Sequence, residues 1–300
     1  MFHFSVVMPV YNRRENLYLS LCALDRAMEH YQEPIELVVT DDGSEDNPLG
    51  VMFEFRDRFS MQYRWQPHAG YRASMVYNKG CAIAQGHNYL LLGSDILIEP
   101  TSLVHLKNLS MANPHAIIAG RYDWMLPMTI RPYDVYHHWE QIVAGTLPPA
   151  QYGAQPAGII GTDPRYIASP QLFEQGVPQT EYATLLFADL TLFPKSIYQA
   201  LGGFDEKMVG HGGQDCELSI RAQAAGYPVI FTNLVHGFHV YHPRDQVANK
   251  ATLESNIRYM AAKHNLSAYG LSIWEYNGDI GISRKEQIPA HYRILGEHND

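Results

Sequence analysis

Ile35-Glu36-Leu37-Val38-Val39-Thr40-Asp41-Asp42-Gly43-Ser44 decides the fold of this chain. Its aliphatic run reads as a buried strand, and Asp41-Asp42-Gly43-Ser44 closes that strand as a turn. On the N-terminal side, Phe4-Ser5-Val6-Val7-Met8-Pro9-Val10 is a second β-type run. Between the two, from Glu15 to His30, Leu17, Leu21, Leu24 and Met28 recur at helical spacing. On the C-terminal side, Phe53–Phe59 reads as helix and Met61–Trp65 as a short strand. Ser74–Gln85 then reads as helix, with Met75, Cys81, Ile83 and Ala84 at its small and apolar positions. Tyr89–Leu92 is a buried strand running into Gly93-Ser94-Asp95. Strands that alternate with helices imply an α/β domain with a mostly parallel central sheet and helical crossovers. Ligands of such sheets bind beyond the carboxyl ends of the strands, so the acidic residues there are the first candidates.

From Arg121 to Tyr182 the periodicity fades. Pro127, Pro132, Pro148, Pro149, Pro156, Pro164, Pro170 and Pro178 alternate with Tyr and Trp, a pattern that suits a functional lid better than a linker. Order returns at Leu190–Phe193, the turn Gly202-Gly203-Phe204-Asp205, a helix from Asp215 to Ala225 and a strand at Pro228–Thr232. The tail from Gln246 to Asn265 reads as helix, with Leu253, Ile257, Met260 and Ala261 on one face.

Composition excludes several functions. The 300 residues carry 22 Lys plus Arg against 31 Asp plus Glu, a formal charge of −9. At 46% hydrophobic and 18% charged residues the chain is neither disordered nor short of core. No basic stretch marks it as a nucleic-acid binder, and durable binding to an anionic membrane surface is disfavoured for the same reason. Cys22, Cys81 and Cys216 are far apart and outside any CxxC spacing, which argues for reduced thiols rather than disulfides or a cysteine zinc site. No signal-peptide pattern is present, and no apolar run approaches the ~18–20 residues that span a bilayer. The expected location is cytoplasmic, with peripheral contact to the inner face of the membrane as its variant. The acid surplus leaves a question, since an acidic protein is a poor host for an anionic substrate.

Four constellations carry chemistry. Asp41 and Asp42 at a strand end suit hydrogen bonds from a ribose hydroxyl, a base N–H or metal-bound water; a turn and helix cap would use the same residues. Asp95, with Glu99 four residues on, reads as a ligand or as a cap. The segment His236-Gly237-Phe238-His239-Val240-Tyr241-His242 spaces imidazoles at i, i+3 and i+6 after a buried strand. That suits a borderline divalent cation completed by a carboxylate, against the plainer reading of surface or hydrogen-bonded core histidines. Gly210-His211-Gly212-Gly213-Gln214-Asp215-Cys216-Glu217 lets the backbone approach a ligand, with Asp215 as a general base or an N-cap, and Glu217 and Arg221 as a helix ion pair. GxSxG, GxxxxGK[ST] and GxGxxG are all absent, which leaves serine hydrolase, P-loop and dinucleotide readings unsupported.

Taken in order, Val6–Asn12 (VVMPVYN), Leu37–Ser44 (LVVTDDGS), Tyr71–Gly80 (YRASMVYNKG), Tyr89–Asp95 (YLLLGSD), Gly202–Glu206 (GGFDE) and Gly212–Arg221 (GGQDCELSIR) resemble the motifs of family 2 glycosyltransferases. The resemblance spans residues 4–243, and His239–His242 is similar to the end of galactosyltransferase-type members. It implies a single glycosyltransferase A-type catalytic domain over 1–245, with a nucleotide-binding half (1–120) and an acceptor and catalytic half (121–245). A helical extension over 246–300 follows. It implies a nucleotide-diphospho-sugar donor, a UDP-sugar first, a saccharide or glycan acceptor in polysaccharide biosynthesis, and Mn²⁺ or Mg²⁺.

By position, the resemblance assigns Pro9, Tyr11, Asp41, Asp42, Arg72, Asn78, Ser94 and Gly213 to nucleotide-sugar binding, with Arg72 neutralising diphosphate. It assigns Asp95, His239 and His242 to the metal and Asp215 to the inverting catalytic base. Three positions depart from the family pattern. Tyr77 stands where an arginine is common, Gly93 replaces the first acid of the Asp-x-Asp motif, and Gln214 replaces an acidic neighbour of the base. The losses at 93 and 214 motivate an alternative, a non-catalytic nucleotide- or sugar-binding relative; a nucleotidyltransferase lacks its usual basic glycine-rich start. Aromatics at Tyr122–Trp124 and Tyr133–Trp139 would stack on an acceptor sugar or fill core. Asp41, Asp42, Asp95, Asp215 and Glu217 are expected to face one cleft, where a bridging cation reconciles an acidic protein with a diphosphate.

Overall fold

Alternate residues of the first strands feed two opposite helical layers. The computed structural model describes residues 2–125, 128–148, 161–182, 185–242 and 246–265. In β1 (Phe4–Val10), Val6, Met8 and Val10 join one buried cluster while Val7 joins another on the opposite face. α1 (Arg14–Tyr31) supplies Leu17, Leu21 and Leu24 to the first cluster. β2 (Glu36–Asp41) repeats the split, Leu37 and Val39 against Val38. Strands buried on both faces require helices on both, and each aliphatic side chain so buried contributes about 1.5–3 kcal/mol. α2 (Pro48–Glu54) and β3 (Ser60–Trp65) complete the first edge. α3 (Ala73–Ile83) lays Tyr77 and Cys81 on the second face. The helix expected over Phe53–Phe59 instead starts at Pro48. Asn47 caps it by accepting from the Gly50 N–H, and proline suits the first turn, where its missing N–H costs nothing.

β4 (Asn88–Leu91), β5 (Ile96–Ile98), α4 (Ser102–Ala112) and β6 (Ile117–Trp124) follow. The proline-rich middle folds into short pieces: α5 (Pro132–His137), α6 (Trp139–Ala144), α7 (Pro164–Ala168), α8 (Pro170–Gln175) and β7 (Pro178–Gln179). Four of these helices begin or end on the features the sequence offers, with Pro132, Pro164 and Pro170 in first turns and Gly145 in the left-handed conformation after α6. Pro127, Pro149 and Pro156 lie outside the described residues, as does the expected extension from 266 to 300. β8 (Thr191–Pro194), α9 (Lys195–Leu201), α10 (Gln214–Ala224), β9 (Val229–His239) and α11 (Gln246–His264) complete the chain.

The strands form one sheet in the order β3-β2-β1-β4-β8-β6-β9-β5, with β7 paired to β9. It is parallel across β3-β2-β1-β4. Beyond β4 it is mixed: β8 runs antiparallel to both β4 and β6, β9 is parallel to β6, and β5 is antiparallel to β9. Because β8 is reversed, it begins at the edge where β1, β2 and β4 end. β9 continues through the histidine segment rather than stopping at Thr232. Its pairing with β6 slips between Ala119 and Arg121, and such irregularities bend a strand and re-aim its side chains. His236 and His239, three residues apart on a strand, consequently face different partners.

Candidate active site

The ends of β1, β2, β4 and β9, the start of β8 and the N-terminus of α10 border one cleft of about 540 Å³. Pro9, Tyr11, Asp42, Arg72 and Ser94 line it, as do Asp95, His239, His242 and Asp215. Asp41, Asn78, Gly213 and Glu217 are not among its lining residues.

One end is built from the Asp41–Ser44 turn. Asp41 is buried and serves the turn: Ser44 N–H donates to its Oδ1 at 2.7 Å, and the Tyr63 hydroxyl donates to Oδ2. Asp42 faces the cleft and collects donors from the segment after β3. Arg72 Nη2 donates at 3.0 Å, Gln66 donates through Nε2, and His68 Nδ1 lies 3.3 Å from Oδ2. Gly43 makes this possible, since with φ at 85° a Cβ there would stand 2.4 Å from the backbone nitrogen of His68. Tyr11 stacks on His68 with ring centroids 3.9 Å apart and an interplanar angle of 7°. The result is a flat aromatic pair beside an anchored carboxylate, a form that suits a nucleobase. Asn78 works elsewhere: it accepts from the Phe204 N–H and the Tyr198 hydroxyl, both at 2.8 Å, and donates to the Phe204 carbonyl at 2.9 Å. It fastens the Gly202–Glu206 turn to α3.

At the other end, donor atoms of Asp95, His239 and His242 lie within 4.8 Å of one another. Asp95 Oδ2 is 3.0 Å from His242 Nε2 and 3.4 Å from His239 Nε2. The Val240 N–H donates to the Asp95 carbonyl at 2.8 Å and holds the histidine segment against the loop after β4. One carboxylate with two imidazoles fits a borderline divalent ion better than Mg²⁺, which favours oxygen ligands alone. His236 is not part of this group. Its Nε2 contacts Asp123 Oδ2 at 3.1 Å. Burial alone would raise the Asp123 carboxyl, but bonds from His236 and Arg121 outweigh it and bring the pKa to about 2. The arginine beside the metal-type donors is Arg13, whose Nη2 is 2.8 Å from His242 Nδ1, whereas Arg72 belongs to the Asp42 end.

Asp215 is the second residue of α10, with Gly213 as the N-cap at φ 87°. It opens onto the cleft and is otherwise enclosed by protein. Burial, then the charge of Asp189, raises its pKa to about 7, while the Ala188 N–H and Arg165 pull the other way. A carboxyl so placed is matched to proton transfer near neutrality. α11 braces the loop before it. Asn256 Nδ2 donates to the Gly212 carbonyl at 2.8 Å, and the His211 N–H donates to Thr252 Oγ1 at 3.0 Å. Glu217, expected in the cleft, is instead wholly buried beneath α11 between Arg221 (2.6 Å), Lys263 (2.7 Å) and His264 (2.9 Å). Burial would raise its pKa, but the bonds from these three side chains and the charge of Arg221 lower it.

Of the aromatics with two readings, Tyr122 and Trp139 are core. Trp124 packs its ring on His239 at 4.1 Å and so orients a metal-type donor, and Tyr133 is exposed. Sequence reading missed Asp189, Arg13 and His68 in the cleft wall, whereas His211 comes from the glycine-rich constellation before α10. Asp189 precedes a reversed strand, so a search at parallel strand ends passes over it.

The mixed sheet flanked by helices, with an acidic cleft where strands β1, β2 and β4 end, matches the glycosyltransferase A-type fold of solved structures. The family model described as glycosyl transferase family 2 matches residues 5–161, and the chain belongs to that family of transferase enzymes. It is 27% identical over 265 residues to validoxylamine A glucosyltransferase of Streptomyces hygroscopicus subsp. jinggangensis, which covers 87% of this chain. The match takes in 60% of that relative's own length. Among solved structures, S. aureus TarS in complex with UDP-GlcNAc is similar at a TM-score of 0.59 and 14% identity, over 97% of this chain and 71% of that one. Mannosyltransferase PcManGT from Pyrobaculum calidifontis, in complex with GDP-Man and Mn²⁺, is similar at a TM-score of 0.54 and 14% identity, over 97% and 70%. At such identity the likeness is one of fold.

Proposed function

We propose that this chain is an inverting, metal-dependent glycosyltransferase that moves a sugar from a nucleotide-diphospho-sugar, a UDP-sugar first, to a hydroxyl of a saccharide acceptor. One observation carries the reading: a single cleft has a nucleobase-type wall at Asp42 and Tyr11, metal-type donors at Asp95, His239 and His242, and a carboxyl of raised pKa at Asp215. In this reading Tyr11 and His68 hold the base and Asp42 accepts its N–H. Mn²⁺, or Mg²⁺, bound by Asp95, His239 and His242 would neutralise the departing diphosphate. Arg13 adds a second positive charge at that end. Asp215 takes the proton from the acceptor hydroxyl as its oxygen bonds to the anomeric carbon and the bond to the diphosphate oxygen breaks. Attack from the face opposite the leaving group inverts the anomeric configuration. Domain 1–245 would hold these groups, with the 246–264 helix bracing the base loop. The reaction is placed in the cytoplasm, in keeping with three free cysteines. Among the described residues no helix is long and apolar enough to cross a membrane.

A nucleotide-sugar panel scored for hydrolysis and transfer, with and without Mn²⁺, tests the proposal. Metal-dependent turnover of at least one donor, lost in Asp215→Asn while UDP binding persists, is the expected outcome. Wild-type turnover in Asp215→Asn removes the base assignment, and metal-independent UDP binding removes the role given to Asp95 and the histidines.

A further inference from the structure

The cleft wall contains a carboxylate that no motif assigns. Asp189 lies two residues before β8, and its Oδ1 accepts from the Tyr77 hydroxyl at 2.8 Å. Facing it is Gly93. A Cβ at that position would stand 2.9 Å from Asp95 Oδ1 and 3.1 Å from Asp189 Oδ1. The two carboxylates therefore share a space that any other residue at 93 would fill. On the far side, Asp189 is near enough to Asp215 for its charge to raise that carboxyl. The next residue, Leu190, is wholly buried and held at φ 60°, a left-handed conformation that disfavours residues with a Cβ. Backbone held in this way beside a cleft marks a position that the surrounding packing enforces.

We propose that Asp189 binds the sugar being transferred, accepting hydrogen bonds from its hydroxyls and restricting the donor to neutral sugars. The proposal rests on the transferase reading above. In that reading the diphosphate lies with Asp95, His239 and His242, and the acceptor oxygen lies with Asp215. The anomeric carbon must then sit between them, within reach of both. Asp189 stands on the wall that joins those two ends, so the group it meets is the sugar ring. A carboxylate offers two acceptor oxygens to neighbouring hydroxyls, and the Tyr77 phenol fixes its orientation. The carboxylate of a uronic acid would bring one more negative charge against Asp189, Asp95 and Asp215 in a partly desolvated cleft, which disfavours it.

The test uses UDP-glucose, UDP-galactose, UDP-N-acetylglucosamine, UDP-glucuronate and GDP-mannose, together with deoxy analogues of the best donor. Wild type, Asp189→Asn and Asp189→Ala are compared in turnover, in Mn²⁺–UDP affinity by calorimetry, and in thermal melting. Asp189→Ala is expected to lower kcat/KM for the best neutral donor about 10- to 100-fold. Mn²⁺–UDP affinity stays within about twofold, and the gap between glucuronate and neutral donors narrows. The deoxy donor that lacks the bound hydroxyl is expected to lose the same factor with wild type and nothing more with the variant, a non-additivity that a merely structural role would not produce. Should the alanine variant fold poorly, Asp189→Asn, which keeps an acceptor for Tyr77, carries the same comparison. Unchanged kcat/KM in the variants, or loss of Mn²⁺–UDP affinity with sugar preference intact, overturns the proposal and leaves the transferase reading standing. A wild-type protein that turns over none of these donors overturns both.

Discussion

Asp42 and Asp215 line one cleft in opposite surroundings. Asp42 is met by Arg72, Gln66 and His68, all contributed within a short stretch of chain after β3. Asp215 is enclosed, has Asp189 as a neighbouring negative charge, and is raised to about 7. The contrast teaches how one cleft divides its labour. On the proposed reading, a carboxylate supplied with donors is a fixed acceptor for a ligand, and one that is enclosed beside a second negative charge binds a proton tightly enough to exchange it near neutral pH.

The contrast breaks most sharply at Asp215. Asp215→Asn is expected to reduce transfer by about 10²- to 10⁴-fold with UDP affinity nearly unchanged, as read by steady-state kinetics and calorimetry. Next in size is the metal end. Chelation of divalent ions, or His242→Ala, is expected to lower turnover roughly 100-fold, a barrier increase of about 2.7 kcal/mol, and to remove the Mn²⁺ dependence of UDP binding. At the opposite end, Arg72→Ala is expected to raise the donor KM by about tenfold with kcat little changed, because on the proposed reading it loosens a carboxylate that binds the donor rather than a reacting group. A large fall in kcat there would show that the two ends are not separable.

The pH dependence sharpens the comparison further. Only the ionised form of Asp215 can accept a proton, so kcat/KM of the free enzyme is expected to rise with pH up to about 7 and then level off. The smallest effect is on stability. The folded pKa of Asp215 lies above its unfolded value, so the cost of its charge is absent below about pH 4 and fully present above about pH 7. Asp215→Asn is therefore expected to stabilise the fold at pH 8 by about 1–2 kcal/mol, discounted for its exposure to the cleft, and to change nothing near pH 4. Thermal melts at the two pH values separate these cases.

The amino-acid sequence by itself determined the α/β class, the strands β1, β2 and β4, and the acids at their ends. These rest on local periodicity and turn chemistry, which need no distant partner to be read. It also placed Asp95, His239, His242 and Asp215 among the candidates, and those four do meet in one cleft. Tertiary structure alone decided the rest. β9 absorbed the histidine segment and turned His236 toward Asp123. Glu217, strand-end logic notwithstanding, went beneath α11, because Arg221, Lys263 and His264 arrive from two helices to pair with it. Asp189 became visible only when β8 was seen to run backwards and Gly93 to leave room beside it. Reversal of a strand and approach of side chains more than ninety positions apart are properties of packing, and no local pattern in the chain encodes them.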